Sequence, residues 1–457
     1  MRHTRPVPSL LITGASVATV DPAGTEHRTG FVLVRDGVVA AVGAGDPPAG
    51  TTADRVVDAR GHLVTPGFVN THHHLYQWAT RGFAVDSGLF DWLVTLYPVW
   101  ARLDATDVEA AARAGLARLA LSGCTTTSDH HYLHPHDGGD QLAATVGAAA
   151  TVGLRFSPTR GSMDLGTSAG GLPPDSVVET VDVVLAATAD AVARHHDPSP
   201  GSMVRVGAAP CSPFSVSPDL LRQTAAQAAE LGIRRHTHLA ETDDEEEFCA
   251  RVFGRRPVEV LEDLGWLGPD VWLAHCVHLS DADIATLART GSAVAHCPSS
   301  NARLGAGAAR ARDLLDAGVP LGLGVDGAAS SEQGSLADEL RQMVYTARLR
   351  GGPAAMSARD ALRAATAGGA AVLGRAGEIG SIEVGKRADL AVWDLTGLGH
   401  ADLDDPVVAL VIGPTPPLAL STVEGRVVVE DGELRTTSEQ QAVTDLVAAR
   451  RRVLDRA

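Results

Sequence analysis

The chain has 457 residues, 45% of them apolar and 20% charged, enough for a large core in two or three domains or one barrel with an appendage. Lys and Arg total 38 against 55 Asp and Glu, and the resulting net charge of −17 argues against a nucleic-acid partner, which demands a basic face. Five scattered cysteines without a Cys-x-x-Cys pair argue against a disulfide framework and predict reduced thiols in a cytoplasmic protein.

Residues 1–5 are basic and precede Leu10-Leu11-Ile12, a faint imitation of a secretory signal. The apolar run breaks at Thr13-Gly14 and Asp21, so it predicts an ordinary strand instead. No window approaches the ~18 uninterrupted apolar residues of a spanning helix, so no membrane association is expected. Residues 10–20, 31–35, 38–42 and 56–58 are short Val-rich strands, with Asp36-Gly37 as a hairpin turn. Residues 63–69 form another apolar strand, which runs into His72-His73-His74. Residues i and i+2 of a strand share a face, so His72 and His74 point one way and His73 the other.

The pattern then changes. Residues 105–121 predict a helix with Asp104 as N-cap and Ser122-Gly123 as its end. Strands follow at 125–129, 204–208, 234–239, 271–276, 293–296 and 321–326. Helical stretches at 176–195, 218–231, 258–264, 281–290 and 308–317 alternate with them. About eight such units between residues 64 and 375 predict a closed (β/α)₈ TIM-type barrel, for which ~250 residues is typical. An open doubly wound sheet is the alternative, but no Gly-x-Gly-x-x-Gly opens the first helix after a strand. Strands recur at 388–395, 418–423 and 427–429, with turns at Glu424-Gly425 and Asp431-Gly432, before a helix over 438–457 with a basic end. The expected division is therefore a small discontinuous β-sandwich from residues 1–64 and 376–457, the latter carrying the final helix, around a barrel at 65–375.

In such barrels functional residues sit at the C-terminal ends of strands. His72 and His74 end the first strand, His236 and His238 share a face of another with Glu241 just beyond, His275 ends a third and Asp326 a late one. Neutral imidazole is a common metal ligand. Any one of these residues alone reads more naturally as a hydrogen-bonded structural residue, whereas the set of four strand ends predicts a metal site.

These motifs, Pro66-Gly-Phe-Val-Asn-Thr-His-His-His74, His236-Thr-His-Leu-Ala-Glu241, Ala274-His-Cys-Val-His278 and Gly324-Val-Asp-Gly-Ala-Ala-Ser330, resemble those of the amidohydrolase superfamily, in its deaminase and chlorohydrolase-like branch. The resemblance covers nearly the whole chain. Leu75-Tyr-Gln77, Phe90-Asp-Trp-Leu93, Thr159-Arg-Gly-Ser-Met163, Gly170-Gly-Leu-Pro-Pro174 and Ala209-Pro-Cys-Ser-Pro-Phe214 are similar to the 8-oxoguanine deaminase subgroup within it.

The resemblance implies His72, His74, His238 and Asp326 as ligands of one divalent metal, Zn first and Fe(II) as the alternative. A bridging lysine, used by binuclear relatives, is missing from residues 204–210. Glu241, His275 and Asp326 are the implied catalytic residues: Asp326 takes the proton of the attacking water, Glu241 protonates a ring nitrogen and His275 stabilises the intermediate. The implied reaction is hydrolysis of 8-oxoguanine to urate and ammonia. Guanine, isocytosine, a pterin or a hydroxylated triazine are alternative substrates, and a non-catalytic barrel is the alternative of another class. Gln77, Arg160 and Cys211 are the candidate substrate contacts, the first two with an exposed loop glutamine and a surface ion pair as their structural alternatives, while Tyr76 and Trp92 are expected to pack. His73 is expected only to pack, and His130, His131, His134 and His136 to form pocket rim or loop. The partner expected is a small amino-substituted heterocycle, bound by a homodimer or higher oligomer.

Overall fold

The structure is a computed structural model that describes residues 7–456, so the basic opening at 1–5 lies outside the described residues. The first five strands are β1 (Leu10–Ala18), β2 (Glu26–Arg35), β3 (Val38–Ala44), β4 (Arg55–Asp58) and β5 (His62–Pro66). Eight parallel strands then close into a barrel: β6 (Phe68–Asn70), β7 (Cys124–His131), β8 (Arg155–Ser162), β9 (Gly207–Pro210), β10 (Arg235–Leu239), β11 (Val271–His275), β12 (Ala293–His296) and β13 (Leu321–Leu323). The last four, β14 (Leu390–Asp394), β15 (Leu418–Val423), β16 (Arg426–Glu430) and β17 (Glu433–Leu434), return to the first five. Together they make one hydrogen-bonded sheet in the order β17-β16-β15-β14-β5-β1-β2-β3, with β4 also on β1. It is antiparallel except where β1 meets β4 and β5.

The apolar run at 63–69 is not one strand. It divides at Gly67, with β5 in the terminal sheet and β6 in the barrel. The corner needs glycine for a spatial reason: a Cβ there would lie 2.2 Å from Thr125 Cγ2 of β7. The Gly67 N–H donates to the Asp389 carbonyl (2.8 Å), which ties the corner to the far end of the chain. Trp393 of β14 covers the same corner, its ring 5.2 Å from that of Phe68 and its Nε1 donating to Thr65 Oγ1.

Other boundaries shift by a few residues. β7 runs two residues past 129, β9 lies three residues later than its expected start, and β13 ends at Leu323, three residues short of Asp326. The helix expected from 176 begins at Val181, because Pro173-Pro174 is followed by a separate 3₁₀ turn at Asp175–Val177. Helix Ala105–Leu121 carries the expected Asp104 cap, reinforced by Asp107. The C-terminal helix Glu439–Asp455 packs back on it, where buried Asp107 accepts from Arg452 (2.8 Å) and Arg456 (2.7 Å). Among the described residues no helix is long and apolar enough to cross a membrane.

A buried cation joins barrel to sheet. Arg155 of β8 is fully buried, pairs with Asp389 (3.0 Å) and Glu424 (2.7 Å), and donates to the carbonyls of Gly201 and Ser202. Removing one partner of such a pair leaves the other charge uncompensated in the interior. Arg155→Met is therefore expected to destabilise the fold by about 3–5 kcal/mol, read as a fall in the urea midpoint.

Candidate functional site

The barrel strands deliver their histidines and carboxylates to one end. His72 and His74 follow β6, His130 is the last residue but one of β7, Cys211 follows β9, His238 and Glu241 lie at and beyond the end of β10, His275 ends β11 and Asp326 follows β13. All are buried. Ligand-capable atoms of His72, His74, His130 and His238 lie within 4.8 Å of one another, as do those of His72, His275 and Asp326. His275 and Asp326 both adopt left-handed backbone (φ 72° and 61°), a strained conformation for residues with a side chain. The chain turns sharply at these two strand ends, and that turn aims both side chains back over the barrel mouth.

Hydrogen-bond partners fix where the ring protons sit. His74 Nδ1 donates to the His130 carbonyl (2.7 Å) and His238 Nδ1 to the Cys211 carbonyl (2.6 Å). A carbonyl only accepts, so both rings carry their proton on Nδ1 and offer a bare Nε2. Those two Nε2 atoms face each other at 3.1 Å. His72 Nε2, buried and without a hydrogen-bond partner, lies 3.3 Å from Asp326 Oδ1, which is 3.4 Å from His74 Nε2. Three nitrogen lone pairs and a carboxylate oxygen thus converge with no proton between them. A cation satisfies such a donor set, and three imidazoles with one carboxylate suit a first-row divalent metal.

Asp326 is held on its other side. Its Oδ2 accepts from Ser300 Oγ (2.6 Å) and Ser330 Oγ (3.1 Å) and its Oδ1 from the Gly327 N–H (2.7 Å). Burial raises its pKa, but the imidazoles of His72, His275 and His74 around it outweigh that and hold it well below the usual carboxylate range. Glu241 has no such support. Burial dominates and pushes its carboxyl up to about 7. His275 Nε2 stands between the two, 3.7 Å from Glu241 Oε2 and 3.9 Å from Asp326 Oδ2. Burial pulls the imidazole down, yet the two carboxylates win and raise its pKa. The site therefore pairs an ionised carboxylate with a carboxyl poised to hold a proton near neutrality, a division suited to acid–base work.

Gln77, Trp92, Cys211 and Phe214 line the pocket above these groups. Gln77 Oε1 accepts from the Ala329 N–H (3.3 Å), which fixes the side chain at the pocket wall. Trp92 donates from Nε1 to the Ala329 carbonyl, while Tyr76 packs edge-on against Trp100, below the pocket lining. Arg160 is not brought to the site: Glu179 pairs with it at 2.7 Å, and it lies outside the lining residues. His73 accepts from the His74 N–H (2.8 Å) and otherwise packs.

The rim-or-loop reading of the 130–136 histidines needs correction. Because β7 extends to 131, His130 and His131 are buried strand residues, His130 stacked on His238 (4.7 Å, 23°) and His131 bound to Gln141 (2.6 Å). His136, on the exposed loop, matches the expectation. Sequence reasoning missed Ser300 and Asn301, the latter 2.9 Å from His275 Nδ1. Both follow the end of β12 by a few residues, the position that the strand-end rule singles out.

Residues 63–429 match the Amidohydrolase family. The chain is 46% identical to an 8-oxoguanine deaminase from Pseudomonas aeruginosa over 386 residues, covering 84% of this chain and 86% of that one. It is 38% identical to an isoxanthopterin deaminase from an unknown prokaryotic organism, covering 93% of each. Its fold is similar to the crystal structure of atrazine chlorohydrolase from Arthrobacter aurescens TC1 complexed with zinc, with a TM-score of 0.91, 32% identity and coverage of 96% and 100%. A closed parallel barrel, a convergent His–Asp cluster at its C-terminal mouth and these likenesses lead to one assignment: the chain belongs to the amidohydrolase family, as a hydrolase acting on carbon–nitrogen bonds.

Proposed function

We propose that this enzyme is a mononuclear metal-dependent deaminase of an oxidised amino-purine, converting 8-oxoguanine and water to urate and ammonia. The observation that carries the chemistry is the buried Glu241 carboxyl, pushed up to about 7 and set 3.7 Å from His275 on the pocket floor. The 46% identity to an 8-oxoguanine deaminase supports the substrate. His72, His74, His238 and Asp326 would hold the metal, zinc in our reading and Fe(II) as the alternative. When bound, such a metal lowers the pKa of water and supplies hydroxide at neutral pH.

The protein's own groups do the rest. Glu241, protonated, donates to a ring nitrogen beside C2, so no negative charge accumulates on the ring as water adds there. Asp326 accepts the proton of the incoming water and returns it to the departing amine. His275 donates Nδ1–H to Asn301 Oδ1, and in the protonated form that the neighbouring carboxylates favour it also directs Nε2–H at the oxygen that enters. Gln77, turned by Ala329, offers its amide N–H groups to the acceptor edge of the purine, beside Cys211. Arg160, committed to Glu179, takes no part in this reading.

Gly327 makes room for Gln77, since a Cβ on it would fall 1.9 Å from Gln77 Oε1. Gly327→Ala is thus expected to displace Gln77 and raise KM about tenfold, the worth of one lost hydrogen bond, with a smaller change in kcat. Steady-state kinetics checks it, and an unchanged KM removes Gln77 from substrate binding.

The decisive experiment is ammonia release from a panel of aminopurines, pterins, isocytosine and hydroxylated triazines on metal-loaded enzyme. Inert 8-oxoguanine beside good turnover of another ring refutes the substrate. A pterin is the second reading, favoured by the 38% identity to an isoxanthopterin deaminase. The five cysteines are buried and free, which supports the cytoplasmic setting. We also propose a homodimer, checked by light scattering on the purified enzyme.

A further inference from the structure

We infer that His236 is the positioning residue of His72, fixing its proton and its orientation for the metal; this rests on the reading of His72 as a ligand. The three imidazoles read as ligands are not anchored alike. His74 and His238 each donate Nδ1–H to a backbone carbonyl. His72 instead meets a side chain, with its Nδ1 2.8 Å from His236 Nε2.

Two imidazole nitrogens at that distance share one proton, and the next contact says which ring owns it. His236 Nδ1 lies 2.7 Å from the Trp272 carbonyl, which can only accept. His236 therefore holds its proton on Nδ1 and presents a bare Nε2. That lone pair takes the Nδ1–H of His72 and leaves His72 Nε2 free to face Asp326. In metal sites the partner of a ligating histidine sets its tautomer and basicity, and losing it costs about 10–100-fold in affinity.

His236 is itself locked from both sides. The Trp272 ring stacks on it, 4.5 Å away and 13° from parallel. Trp272 Nε1 also donates to the carbonyl of Thr71, the residue before His72 (3.1 Å). Thr71, His72, His236 and Trp272 form a closed circuit across three barrel strands. None of these contacts involves substrate, and the one hydrogen bond that His236 makes to a proposed ligand goes to His72.

The test is metal affinity by chelator competition on wild type, His236→Leu, His236→Gln and His72→Ala, with thermal midpoints of the metal-free proteins. His236→Leu is expected to bind metal 10–100-fold more weakly, and His236→Gln, which keeps an acceptor near the Nε2 position, within a few-fold of wild type. Affinity unchanged in His236→Leu overturns the proposal, as does equal loss in both variants tracking a lower midpoint. Wild-type affinity in His72→Ala instead refutes the metal-centre reading itself. If the His236 variants do not fold, ¹⁵N-histidine spectra of the metal-loaded wild type decide. A proton on His236 Nδ1 only supports the inference, and one on Nε2 overturns it.

Discussion

Asp326→Ala will abolish turnover of every substrate, by about 10⁴-fold or more, because one side chain performs two tasks. Its Oδ1 faces His72 and His74 Nε2 at 3.3 and 3.4 Å, completing the only negative member of the donor set. Its Oδ2, braced by Ser300 and Ser330, is the proton carrier of the proposed reaction. The variant also loses metal, so elemental analysis beside the assay separates the roles: full metal content with no turnover leaves proton transfer as the cause. Activity within tenfold of wild type sinks the mechanism.

Glu241→Gln should lower kcat by about 10²- to 10⁴-fold with the fold and metal content intact. Glutamine keeps the shape but has no acidic proton to give. The pH profile follows from the sign of the shift. Burial raises the carboxyl from its ordinary range to about 7, so the acid holds its proton below that value and loses it above. The wild-type rate should therefore fall as pH rises through about 7, and that limb should vanish from the residual activity of the variant. Stability moves in the same sense. An unfolded chain releases this proton near pH 4.5, so between there and about 7 the buried carboxyl costs progressively more stability. The metal-free variant should then be more stable than metal-free wild type at pH 8. A wild-type profile flat through pH 8 removes Glu241 as the general acid.

Much of this site was legible in the sequence because barrels put chemistry at strand ends. His72, His74, His238, Glu241, His275 and Asp326 all sit there, close to their expected strands. What escaped notice escaped for physical reasons. β8 contains Pro158 and alternates polar with apolar residues, so no apolar run marks it, yet every residue in it is buried between parallel neighbours. β7 is Cys-Thr-Thr-Thr-Ser-Asp-His-His, again fully buried, and its polar end hid that His130 belongs to the interior. Helix Leu89–Trp100, which supplies Trp92 to the pocket, mixes aromatic residues with Pro98 and lacks a clear polar face. Arg160 shows the opposite failure. A strand end selected it correctly, but its partner Glu179, nineteen residues on, is invisible to local pattern.

The corner at Gly67 sets an order of events in time. β5 lies one residue before the strand that leads to His72 and His74, and its hydrogen-bonded neighbour is β14, with Thr65 and Trp393 touching across 328 residues. A chain emerging from a ribosome presents His72 and His74, the first of the proposed ligands, early and their structural clasp very late. Closing so long a loop is entropically costly and slow. The first barrel strand is expected to settle into register only once the chain has been made through β14, at residues 390–394 of 457. A metal site built on His72 and His74 would accordingly form late in synthesis, and nascent chains stalled before residue 390 should not retain the ion.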